Sequence, residues 1–183
     1  ARHHGVQVEQ ILCGNGASDL FIRLAQALRP RKALVVAPAF SEYEASLAQV
    51  DCEVVKHVLS AESGFVADKS LLDAVDEDVD LVYICESSNP AGQVTPPVLL
   101  QRLLERCGEV GALLAVDECF LDFLPDADER TLAGRIEGNP LIVFKAFTKF
   151  FAMAGLRLGY CLSADAELIG AMRAAGQPWA VST

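Results

Sequence analysis

Short apolar runs at 10–13, 33–37, 53–58, 80–85, 112–116, 140–144 and 158–162 alternate along the chain with longer stretches whose apolar residues recur at helical spacing. The short runs have the length of strands, and the stretches between them read as amphipathic helices. Strand and helix in alternation predict an α/β fold: a three-layer α/β/α sandwich on a mostly parallel sheet, with its ligand at the carboxyl ends of the strands. Local signals place several of the helices. A helix-like run covers 20–28, after a glycine-rich turn. Thr95 before Pro96-Pro97 offers a cap and a first turn that tolerates proline, and the run that follows reaches Cys107-Gly108, a glycine stop. Asp165 is placed to cap a helix running to about residue 175, and Asp126, Asp128 and Glu129 mark the start of another.

The polar residues that carry chemistry fall where the apolar runs stop. Lys149 comes just after the 140–144 run, and Arg157 follows in Gly155-Leu156-Arg157-Leu158-Gly159-Tyr160. A lysine amine able to form a Schiff base and an arginine able to hold a phosphate dianion match the two handles of pyridoxal phosphate. Three upstream segments fit the same cofactor. Gly14-Asn15-Gly16-Ala17-Ser18-Asp19 turns on its glycines into the 20–28 helix, whose first N–H groups attract phosphate. Ser18 or Asp19 could equally be a plain N-cap. Ser87-Ser88-Asn89-Pro90-Ala91-Gly92 is a turn in which Asn89 can donate to the phenolic oxygen of the cofactor ring. The 112–116 run ends at Asp117-Glu118, and a carboxylate buried there needs a partner such as a protonated pyridine nitrogen. Asp117 comes first and is the better candidate, with Glu118 turned to the opposite side; two solvated loop acids are the competing reading. In Pro38-Ala39-Phe40, Phe40 can stack on the ring or belong to the core, and Tyr43 is the other candidate for stacking.

As a set, Gly16-Ala17-Ser18, Asn89-Pro90-x-Gly92, Asp117-Glu118, Thr148-Lys149 and Gly155 to Tyr160 resemble the large domain of the aspartate-aminotransferase-like, fold-type I pyridoxal phosphate enzymes. The likeness is to their histidinol-phosphate aminotransferase branch and, within it, to the threonine-phosphate decarboxylases of cobalamin biosynthesis. That narrower likeness draws on Ala1-Arg2-His3-His4, Leu12 to Gly16, Leu28-Arg29-Pro30-Arg31, Phe40-Ser41-Glu42-Tyr43, Asp117 to Phe123, Thr148-Lys149-Phe150 and Gln177-Pro178-Trp179. The resemblance implies Lys149 as the residue bearing the cofactor, Asp117 on the pyridinium, Asn89 on the ring hydroxyl and Phe40 against the ring face. Arg157, Thr148, Ser18 and the backbone of Ala17, beside Gly16, would surround the phosphate. Two positions depart from the usual pattern. Phe120 stands where many relatives have a tyrosine that also reaches the ring oxygen, and Ala146 stands where Ser or Thr is frequent.

The resemblance further implies decarboxylation of L-threonine O-3-phosphate to (R)-1-amino-2-propanol O-2-phosphate, or transamination of histidinol phosphate with 2-oxoglutarate as the alternative. It makes residues 1–183 the large domain of a homodimeric enzyme, starting inside the N-terminal arm and stopping before the small domain, and inactive when isolated. A binding domain that had lost its chemistry would be expected to lack some of Asn89, Asp117, Lys149 and Arg157.

Composition narrows the partners. A formal net charge of −10 repels nucleic acid and anionic membranes, while a local cationic pocket still admits a small phosphorylated amino-acid substrate. With 183 residues, 52% of them apolar, the chain can bury one good core. Cysteines at 13, 52, 85, 107, 119 and 161, without a Cys-x-x-Cys pair, read as reduced core residues of a cytoplasmic protein. His3, His4 and His57 lack metal-ligand spacing, so no metal is expected. The sequence contains no run long and apolar enough to span a bilayer, no signal peptide and no internal repeat.

Overall fold

In the computed structural model, which describes residues 1–177, each expected strand is found: β1 Ile11–Gly14, β2 Lys32–Ala37, β3 Glu53–Val58, β4 Leu81–Cys85, β5 Leu113–Asp117, β6 Leu141–Ala146 and β7 Gly159–Leu162. Between them lie α1 Ala17–Leu28, α2 Glu42–Ala48, α3 Ser70–Asp73, α4 Pro97–Val110 and α5 Ala127–Arg130, with α6 Ala166–Ala174 after the last strand. The strands form one sheet in the order β1-β7-β6-β5-β4-β2-β3. Pairs among β2, β3, β4, β5 and β6 are parallel, and β7 runs against both β1 and β6.

Helices cover both faces, which explains why β4, β5 and β6 are apolar or buried at every position instead of at alternate ones. On one face Val82, Leu114 and Val143 pack with Leu71 of α3 and Leu100, Leu103 and Leu104 of α4. On the other, Tyr83, Ala115 and Phe144 meet Phe21 and Leu24 of α1, Leu47 of α2 and Met172 of α6. Alternation along β5 therefore sends Asp117 to the α1 side and its neighbour Glu118 to the α4 side.

Two helix-end expectations are corrected. α4 runs through Gly108 to Val110, and the stop is Gly111, which takes the left-handed conformation (φ 78°) that its lack of a Cβ allows. Thr95 does not cap α4; the N-cap position is Pro96, and the Thr95 N–H goes instead to the carboxylate of Glu86 at 3.1 Å. Asp165 does cap α6, accepting from the Leu168 N–H at 2.9 Å. Asp126 precedes α5 and pairs with Arg130 at 2.7 Å. Of the cysteines, 85, 107, 119 and 161 are buried, but Cys13 is exposed, because in β1 it points away from the α1 core that Leu12 joins. Pro178 and Trp179, used in the narrower resemblance, lie outside the described residues.

Candidate active site

The loop after β1 is shaped by close approaches. Gly16 (φ 81°) occupies the N-cap position of α1, so neither Ser18 nor Asp19 caps the helix and no side chain blocks its first N–H groups. Asp19 turns back to accept from the Asn15 N–H at 2.9 Å and pairs with Arg23 at 2.8 Å, which pins the loop to its own helix. A Cβ on Gly16 would sit 3.3 Å from the Arg157 guanidinium, and one on Gly159 would sit 2.8 Å from the Ala17 nitrogen. Glycine at these two positions lets β7, Arg157 and the start of α1 share one small space, where N–H groups and a guanidinium suit an anion.

Asp117 closes the opposite end. It is buried, and its Oδ2 accepts from the Tyr43 hydroxyl at 2.6 Å while its Oδ1 accepts from the Cys119 N–H at 2.9 Å. Burial pushes its carboxyl above the usual range; hydrogen bonds from Cys119 and Tyr43 and the charge of Lys149 pull the other way. Glu118, equally buried, is satisfied across the sheet by Thr131 Oγ1 at 2.5 Å, by the Leu132 N–H at 2.7 Å and by Lys145 at 3.4 Å. The two acids are thus buried on opposite faces, and neither is a solvated loop residue.

Between these ends lies a cavity of about 120 Å³. Gly16, Ala17, Ser18, Phe40, Asn89, Asp117, Phe120, Thr148, Lys149 and Arg157 all line it, so the fold brings every expected site residue to one place. They come from the carboxyl ends of β1, β2, β4, β5 and β6 and from the turn before β7. Lys149 is exposed at the cavity wall, its Nζ 5.4 Å from the centre of the Phe120 ring. Phe40 lines the cavity; Tyr43 does not, being stacked on Tyr83 in the core at 4.8 Å and 7°. Stacking on a ligand is therefore open to Phe40 and closed to Tyr43.

Ala146, noted in the sequence as a departure from the usual pattern, also lines the cavity, and two further lining residues were not singled out: Phe21 and Cys119. Helical spacing from Ala17 could have found Phe21. The contact of Tyr43 with Asp117 joins residues far apart in sequence and leaves no local signal. A larger hollow of about 650 Å³, lined by His3, His4, Lys145, Phe147 and Tyr160 among others, holds none of the ten expected residues. His4 there, hydrogen-bonded to the Tyr160 oxygen at 2.8 Å, is lowered to about 4, first by burial.

An α/β sandwich with a lysine, an aspartate and an anion cradle gathered at its strand ends is the architecture of a cofactor-binding enzyme domain. The profile of the family "Aminotransferase class I and II" matches residues 1–183, and the chain belongs to that family, which is one of pyridoxal phosphate-dependent enzymes. It is 37% identical, over all of its length and 50% of the relative's, to a threonine-phosphate decarboxylase of Salmonella typhimurium. It is 33% identical, over all of its length and 51% of the relative's, to a histidinol-phosphate aminotransferase of Desulfitobacterium hafniense. The crystal structure of L-threonine-O-3-phosphate decarboxylase from Porphyromonas gingivalis superposes with a TM-score of 0.80 at 26% identity, covering 100% of this chain and 53% of that one. The chain thus spans about half the length of the relatives it matches. Among the described residues, no helix is long and apolar enough to cross a membrane.

Proposed function

We propose that residues 1–183 are the cofactor domain of a longer, homodimeric cytoplasmic enzyme that decarboxylates L-threonine O-3-phosphate to (R)-1-amino-2-propanol O-2-phosphate, a step of cobalamin biosynthesis. The observation that carries the cofactor reading is the convergence of Asn89, Asp117, Lys149 and Arg157, from separate segments, on one small cavity. The choice of decarboxylase is supported by the 37% identity to the Salmonella relative along the whole chain.

The residues present fit pyridoxal phosphate by their donor chemistry. Asp117 is a desolvated carboxylate with neutral hydrogen-bond donors, which suits a protonated ring nitrogen. The uncapped start of α1 beside Arg157 suits a phosphate, with Ser18 and Thr148 as hydroxyl donors on the same cavity. Asn89 supplies an amide for the ring hydroxyl, Phe40 an aromatic face, and Lys149 the amine that links the cofactor covalently. When bound, pyridoxal phosphate supplies an electron sink for the bond broken at the substrate Cα.

The chain's own residues then have separable tasks. Asp117 would offer a fixed negative charge to a protonated ring nitrogen. Arg157 and the amides of Ala17 and Ser18 would hold the phosphate end and so fix the position of the ring relative to Lys149. Lys149 lines the cavity, where its amine would serve to return a proton to the substrate Cα. In transamination the same amine would carry the Cα proton away. Phe120 offers Lys149 a ring face and no hydroxyl, so Asn89 would be the side chain donating to the ring oxygen.

The alternative reading, a histidinol-phosphate aminotransferase, is supported by the 33% identity to the Desulfitobacterium relative. One assay separates the two. The full-length enzyme, given pyridoxal phosphate and threonine O-3-phosphate without any oxo acid, is expected to release carbon dioxide at catalytic turnover. No release, together with 2-oxoglutarate-dependent consumption of histidinol phosphate, would replace the decarboxylase with the aminotransferase. The isolated residues 1–183 are expected to show no turnover.

A further inference from the structure

The cavity accounts for Asp117 but not for the residue beneath it. Tyr43 is 1% exposed, and its hydroxyl donates to Asp117 Oδ2 at 2.6 Å. Its ring is fixed on three sides: parallel to Tyr83 at 4.8 Å, and edge-on to Phe21 at 5.0 Å and to Phe40 at 5.9 Å. A hydroxyl on a ring held this way has little freedom to point elsewhere. Tyr83 makes the contrast. It belongs to the same stack, is fully buried, and its hydroxyl has no hydrogen-bond partner among the described residues. Of the two stacked tyrosines, then, only Tyr43 spends its hydroxyl on the carboxylate of the cavity.

We infer that Tyr43 is a positioning residue, which holds Asp117 ionised and correctly turned so that the proton between Asp117 and the ring nitrogen of the cofactor stays on the nitrogen. This rests on the cofactor reading given above. Burial drives Asp117 toward its neutral form, and hydrogen bonds from the Tyr43 hydroxyl and the Cys119 N–H oppose that drive. Tyr43 cannot lose its own proton in exchange, since burial and the neighbouring Asp117 charge raise its hydroxyl well above the usual range. Toward Asp117 it therefore acts as a donor. Remove that donor and the carboxylate becomes more basic. The proton would then shift from the ring nitrogen to Asp117, leaving a neutral acid and a neutral ring with the total charge of the pair unchanged. Tyr43 also abuts Phe40, so one side chain touches both residues proposed to meet the ring, at its edge and at its face.

The test uses the full-length protein loaded with isotope-labelled pyridoxal phosphate, reading the protonation of the ring nitrogen by NMR in wild type, Tyr43→Phe, Tyr83→Phe and Asp117→Asn. Tyr43→Phe is expected to bind the cofactor but to move the ring-nitrogen signal toward that of unprotonated pyridine. It should also lower kcat by roughly tenfold to a hundredfold, with KM changed by less than about threefold. Tyr83→Phe, which removes an unpartnered hydroxyl from the same stack, should leave the signal in place. A Tyr43→Phe signal identical to wild type, with only a lower melting temperature, would make Tyr43 a packing residue and overturn the inference. The same would follow if Tyr83→Phe moved the signal as far as Tyr43→Phe. The cofactor reading fails separately, if wild type binds no pyridoxal phosphate or if Asp117→Asn leaves the ring nitrogen fully protonated.

Discussion

Asp117 and Glu118 are adjacent in sequence, buried, and raised above the usual carboxylate range chiefly by desolvation, yet the two sides of the sheet treat them differently. Behind the sheet, Glu118 has Lys145, Thr131 and the Leu132 amide within reach, and Lys145 is shared with Asp122 at 2.7 Å. That cluster is complete without any ligand. On the cavity side Asp117 has two neutral donors, and the cation acting on it is Lys149, which reaches it only through charge. A buried carboxylate left short of a close cation, on a wall with space in front of it, is arranged for a visitor, whereas the same group closed off by its neighbours holds the fold together.

The comparison is sharpest in its largest expected effect. Lys149→Ala should abolish the absorbance of the lysine-linked cofactor and lower turnover by roughly a hundredfold to ten-thousandfold, while leaving the urea unfolding midpoint of the cofactor-free protein nearly unchanged. An unaltered visible spectrum would refute the assignment of Lys149.

Exchanging the two acids in turn comes next. Asp117→Asn should cost about a hundredfold to a thousandfold in kcat with little loss of stability. Glu118→Gln should do the reverse, losing about 2–3 kcal/mol in urea denaturation because Lys145 retains only Asp122, with activity near wild type at permissive temperature. Parallel losses of activity and stability in both variants would erase the distinction between the two faces.

A third buried acid offers a smaller test of the structural side. Glu86 accepts from the Thr95 N–H and is raised to about 7, mainly by burial. A carboxyl raised in the folded state binds more protons folded than unfolded, so stability falls as pH climbs between its ordinary value of 4.5 and about 7. Glu86→Gln should flatten that part of the stability profile, by roughly 3 kcal/mol at most, as read from urea midpoints across the range.

The smallest effect expected is that of Phe120→Tyr. A hydroxyl there adds one donor near the ring oxygen, worth about 1 kcal/mol, and should shift the pH midpoint of the cofactor absorbance without abolishing decarboxylation. A wholesale switch to transamination would show that this one position sets the reaction type.

Much of this was legible in the chain, for identifiable reasons. The strands announce themselves because helices on both faces demand consecutive apolar residues in β4, β5 and β6, broken only by Asp117 and Lys145 near the carboxyl ends. Most of the cavity residues could be read because they follow such runs at short distance, while Arg157 stands just before β7. Helix ends were harder, since Gly108 and Gly111 look alike and only the completed packing decides which adopts φ 78°. Thr95 reads as a cap until Glu86, which no local rule connects to it, claims its N–H. The hydrogen bond from Tyr43 to Asp117 and the pairing of Lys145 with Glu118 and Asp122 likewise join elements that only the folded sheet brings together. The reversed direction of β7 has no signature in composition at all.

That reversed strand has a thermodynamic consequence. In the ladder Gly159 sits opposite Gly14 on one side and Ala146 on the other, so the glycine loop, the approach to Lys149 and the turn bearing Arg157 are clasped by a single rung. These segments are remote along the chain, and the entropy of closing such long loops is met when the sheet forms, not when a ligand arrives. An unfolded chain therefore offers the cofactor no cradle. Whatever free energy an anion gains there counts wholly toward the native state, which makes cofactor supply a determinant of how much of the protein survives as well as of how fast it works.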